Sequence, residues 1–95
     1  MATPVTPVAG LTSQIAVGGT AVIVVPANPN GGFIQNPANA TEMLYVNPVT
    51  AATLTASGTN FGLPPGGIWE IIPGQTTPTS VNGATTGHAF SVVWY

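Results

Sequence analysis

Two Asn-Pro pairs, Asn36-Pro37 and Asn47-Pro48, close two short apolar runs within Gly31 to Asn47 (GGFIQNPANATEMLYVN), and this punctuation most limits what the chain can fold into. Proline cannot donate to a strand ladder and holds the preceding residue extended, so each pair marks where pairing stops. Strands are expected over Gly32 to Asn36 and Met43 to Asn47. The segment between them, Pro37 to Glu42, is too small and polar for a helix and fits a hairpin or an arch between sheets. Ten prolines and twelve glycines in 95 residues repeat this interruption along the chain and leave no stretch of helical periodicity.

The remaining segments read in the same way. Leu11 to Val17 alternates, Gly18-Gly19 is a two-residue hairpin signal, and Thr20 to Val25 returns as a strand, apolar on both faces over Ala21 to Val25, that is either central in a sandwich or covered by a partner. Pro26 to Gly31 is a loop, and Val49 to Ala56 reads as a weak edge strand. Ser57 to Gly67 is irregular, pinned by Phe61 and Leu63. Ile68 to Ile72 presents Ile68, Glu70 and Ile72 on one face and Trp69 and Ile71 on the other. Thr79 to Asn82 is short and runs into the Asn82-Gly83 turn signal; Gly87 to Tyr95 is the last strand, with Phe90, Val92 and Trp94 on one face. About eight short strands predict an all-β chain, a two-sheet antiparallel β-sandwich or jelly roll over residues 11–95. Residues 1–10, with Pro4 and Pro7 among Val5 and Val8, form either an extended N-terminal arm or a frayed terminus.

Charge narrows the function. The chain has no Lys or Arg, and its two acidic residues are Glu42 and Glu70. Nucleic-acid binding draws on cations that displace phosphate counterions, and phosphate-handling chemistry needs them too, so neither is expected. No run is apolar enough to span a membrane as a helix, because Thr12, Ser13, Gln14 and Gly18-Gly19 break the best one. The absence of cysteine removes thiolate chemistry and disulfides. A surface with so little charge also lacks the repulsion that keeps copies apart, which favours assembly.

Little chemistry is available. His88 is the single histidine, so a nucleophilic triad would need it as base with Glu42 or Glu70 orienting it, and no Gly-x-Ser-x-Gly context surrounds any serine. His88 is expected as a turn or rim residue. One His and two Glu without motif spacing predict no metal site, and no cofactor or catalytic residue is expected. Aromatic and apolar residues beyond what a small core holds point to subunit contacts instead; the expected interface residues are Pro4, Val5, Pro7, Val8, Phe61, Trp69, Trp94 and Tyr95.

Gly18-Gly19-Thr20-Ala21-Val22 leading to Val25-Pro26-Ala27-Asn28-Pro29-Asn30, then Gly32-Phe33-Ile34-Gln35-Asn36 and Leu44-Tyr45-Val46, resembles small virion proteins of tailed bacteriophages. Leu63-Pro64-Pro65-Gly66-Gly67 and Ser80-Val81-Asn82-Gly83-Ala84-Thr85-Thr86-Gly87-His88-Ala89-Phe90 continue the pattern. The resemblance implies a head-associated jelly-roll protein, a capsid decoration or cement protein on the outer surface of the virion. It would be homo-oligomeric, with a trimer favoured, and bound to the major capsid protein. Gly31 and Gly32 stand where many such proteins carry a basic residue. The alternative expectation is a head-fibre or tail-fibre base whose loops Ser57 to Gly67 and Gln75 to Thr79 touch a host glycan.

Overall fold

The computed structural model describes the backbone from Ala9 and the side chains from Ser13 to Tyr95, so Pro4, Val5, Pro7 and Val8 lie outside the described residues. The described part is all-β, with eight strands: β1 (Ala9–Gln14), β2 (Val22–Val25), β3 (Gly32–Gln35), β4 (Leu44–Asn47), β5 (Phe61–Leu63), β6 (Ile68–Glu70), β7 (Thr79–Asn82) and β8 (Ala89–Trp94). β1 begins two residues ahead of the expected domain start.

The pairing is nested: β1 with β8, β2 with β7, β3 with β6 and β4 with β5, as in one long hairpin folded at residues 48–60. Further pairing of β3 with β8 and of β4 with β7 rolls that hairpin into two four-stranded sheets, ordered β1-β8-β3-β6 and β2-β7-β4-β5. All pairs are antiparallel, and the result is a jelly roll. Every link except β4 to β5 crosses from one sheet to the other.

This topology corrects three local expectations. Gly18-Gly19 does not make a hairpin, because β1 and β2 belong to different sheets. The pair instead docks on the β7–β8 connection: Gly18 N donates to Thr86 Oγ1 at 2.9 Å and Gly19 N to Gly83 O at 2.8 Å. A Cβ on Gly18 would collide with the Ala84 carbonyl oxygen, so close approach rather than hairpin geometry requires glycine there. Asn82-Gly83 likewise leads across the sandwich rather than into a hairpin. Pro37 to Glu42, left open between hairpin and arch, is an arch.

The second correction concerns β2, which is an edge strand and not central in the sandwich, with Ile23 65% exposed. The third concerns Val49 to Ala56, which forms no strand. Its backbone bonds to side chains from the sheet beneath it: Ala52 N donates to Ser80 Oγ at 2.8 Å, Asn82 Nδ2 to Ala52 O at 2.9 Å, and Ser80 Oγ to Thr50 O at 3.0 Å. With those groups already satisfied, the segment has no ladder to join. Ser57 to Gly67, expected to be irregular, contains the short edge strand β5.

Alternation puts Ile34, Val81, Phe90 and Val92, with Val25, Leu44 and Val46, into one core between the sheets. Trp69 and Trp94 pack partly buried against it. The period-two reading of β6 and β8 holds: Trp69 and Ile71 point inward, while Ile68 and Glu70 are exposed.

Candidate functional site

The outer faces of the two sheets differ. On β4 and β7 the outward residues are Tyr45, Asn47, Ser80 and Asn82, opposite the inward Val46 and Val81. Residues 48–60 fold over this face, which is why Asn47, Ser80 and Asn82 are buried. Asn47 Oδ1 accepts from Val49 N at 2.9 Å and Thr50 N at 3.0 Å, and Asn60 holds Thr53 and Thr55 through its amide. Every polar group used in this way carries no charge.

The other sheet has no such cover from the described residues. Its outward residues Phe33, Gln35, Ser91 and Val93 are half-buried, and Ile68 on β6 is 56% exposed. Register places Phe33 between Val93 and Glu70, and Gln35 between Ser91 and Ile68. A shallow depression of about 340 Å³ lies among Gly32, Phe33, Ile68, Glu70 and Tyr95. Glu70 is the one charged side chain there.

Of the expected interface residues, Phe61 and Trp69 lie at the β5–β6 side of the sandwich, where their rings stack with centroids 4.6 Å apart and planes at 28°. The stack bridges the two edge strands. Phe61 is 41% exposed, whereas Trp69 leans on the core with its Nε1 buried and without an acceptor. Trp94 packs on the core as well, and Tyr95 borders the depression on the open face. Trp69, Trp94 and Tyr95 are all half-buried, and Tyr95 stands on the open face.

The ionisable groups meet elsewhere. His88 closes the turn that begins at Thr85, its N donating to Thr85 O at 3.2 Å, while its side chain is 5% exposed, with Nε2 2.8 Å from Asn36 Oδ1 and Nδ1 3.5 Å from Glu42 Oε1. Glu42, on the arch between β3 and β4, edges a groove of about 310 Å³ that Thr85, Thr86 and Gly87 line from the other side. Both imidazole nitrogens are thus occupied by protein groups, and no serine hydroxyl bonds to either. A general base needs one nitrogen free to meet its substrate's proton, so the arrangement does not form a triad. Among the described residues no group of three or more His, Cys, Asp or Glu gathers around a point that could hold a metal ion.

Sequence reasoning read Asn36 only as the end of a strand. It is instead the fully buried centre of this end of the molecule, its Nδ2 donating to Glu42 O and Leu63 O at 2.9 Å each. Its backbone closes the same knot, with Asn36 N donating to Gly67 O at 3.0 Å. The available signal was its place before Pro37: an asparagine at a strand end, facing inward, can bond to neighbouring backbone that proline has left unpaired.

No protein-family model, curated protein or solved structure matches the chain.

Proposed function

We propose that the chain is a structural virion protein, a capsid decoration protein that binds the major capsid protein from outside the shell and assembles with copies of itself. The observation that carries this reading is the asymmetry of the two faces. One sheet is covered by the chain's own loop, and the other presents Phe33, Val93, Ile68 and Tyr95 with Glu70 as its single charge. Further apolar side chains, Ile23, Val17 and Ile72, stand exposed around the sandwich. Surfaces of this kind gain by being packed against protein.

The mechanism is additive contact. Apolar area buried across joints between capsid subunits stabilises whichever state of the shell binds the chain, by mass action.

The test is co-sedimentation with purified empty shells. Binding should saturate, Phe33→Ser and Ile68→Ser should weaken it, and deletion of residues 1–8 should weaken it while the domain stays folded. Unaltered binding by both face variants would remove the open sheet from the mechanism, and no binding by the native chain would end the proposal.

A further inference from the structure

Hydrogen-bond accounting around Asn36 fixes which nitrogen of His88 carries hydrogen. The Asn36 amide nitrogen donates to two carbonyl oxygens, Glu42 O and Leu63 O. Flipping the amide would set its oxygen against both, so the orientation has one solution. Oδ1 therefore faces His88 Nε2 at 2.8 Å and requires a hydrogen there. In the neutral ring Nδ1 is then a lone pair, aimed at Glu42 Oε1 3.5 Å away. Two acceptors face each other with no donor between them.

Among the described residues no other ionisable group is placed to resolve this. Ile15 and Gly83 pack against one another beside the ring, and Gly83 lies directly under it. Thr85, Thr86 and Gly87 precede it, and Pro37 to Thr41 lead up to Glu42 without a charge. Glu70 is committed elsewhere, opposite Phe33 on β6. The chain has no Lys or Arg to neutralise Glu42.

We infer that Glu42 and His88 form a proton-operated clasp between the β3–β4 arch and the β7–β8 connection. Protonation at Nδ1 supplies the missing donor and joins imidazolium to carboxylate. Loss of that proton sets carboxylate against lone pair and releases Glu42, whose side chain is 35% exposed, into the groove. The bond to Asn36 is made in both states, so the ring stays in place while Glu42 moves. The sign follows from which state owns the contact: it exists with the ring charged, so it is made on the acid side and lost as pH rises.

Amide hydrogen exchange on the full chain tests this, because Ala40 N bonds to Pro37 O within the arch and Gly87 N ties the β7–β8 connection to Ile15 O. After correction for intrinsic exchange, their protection should be roughly three- to tenfold higher at about pH 5.5 than at about pH 7.5, the range one charge-assisted bond at a partly exposed site supplies. Glu42→Gln should abolish the difference. Equal protection at both pH values, or an undiminished difference in Glu42→Gln, overturns the clasp. Imidazole nitrogen shifts give a second reading on the unaltered protein: the neutral ring should carry hydrogen on Nε2, and a neutral ring protonated on Nδ1 overturns the assignment beneath it.

Discussion

Replacing Asn36 by alanine should be among the most damaging single substitutions in this chain, although it removes no apolar contact. The side chain is fully buried and serves three partners: the carbonyls of Glu42 and Leu63 and the imidazole of His88. Truncation leaves all three without it. A buried polar group that loses its partner costs about 1–3 kcal/mol. The bond to Glu42 O is part-buried and is counted at the low end, so the sum is about 3–7 kcal/mol. Stabilities of small domains run to about 5–15 kcal/mol, so a third or more is at stake. At about 4–8 °C per kcal/mol for a domain of this size, the midpoint of thermal unfolding should fall by at least about 12 °C. Urea unfolding followed by Trp69 and Trp94 fluorescence gives the free energy directly. Asn36→Asp separates volume from hydrogen bonding, since it keeps the shape but turns oxygen towards two carbonyls; at neutral pH it should be at least as damaging as alanine. A loss below about 1 kcal/mol for alanine, the size expected of a surface asparagine, would refute the reasoning.

Other perturbations follow from the same geometry. Gly32→Ala places a Cβ against the Val93 carbonyl oxygen at a φ of 136°, in the left-handed half of backbone space, and should cost about 2–4 kcal/mol by denaturant titration. Phe90→Ala empties the largest fully buried side-chain site and should cost about 3–5 kcal/mol, read as a lower urea midpoint at unchanged slope. Phe61→Ala should cost only up to about 1 kcal/mol, because the lost ring stack is offset by water reaching the unpartnered Trp69 Nε1; tryptophan emission should shift to the red.

Strand positions were legible because punctuation and alternation are local. Asn36-Pro37, Asn47-Pro48 and the inward set Phe90, Val92 and Trp94 read correctly from neighbouring residues alone, whereas β6 stops at Glu70, ahead of the Pro73-Gly74 stop. Sheet membership was not legible in the same way. Gly18-Gly19 carries the composition of a hairpin turn, and only the distant Gly83 and Thr86 that bond to it turn the segment into an arch. Val22 to Val25 is apolar on both faces yet lies at an edge, because strand order in a rolled hairpin is decided by nesting and not by hydrophobicity. The site was the least legible part. Asn36, Glu42 and His88 are brought together by two separate connections, and the bond from Asn36 to His88 spans 52 positions. No spacing rule reaches that far.

The central claim is that this jelly roll works by being packed onto a protein shell through the sheet its own loop leaves bare. Densitometry of purified virions, counting this chain against the major capsid protein, tests that claim most directly. A copy number that scales with the capsomers of the shell is the predicted result. A chain absent from virions, or present in only the few copies of a tail or portal component, would contradict it.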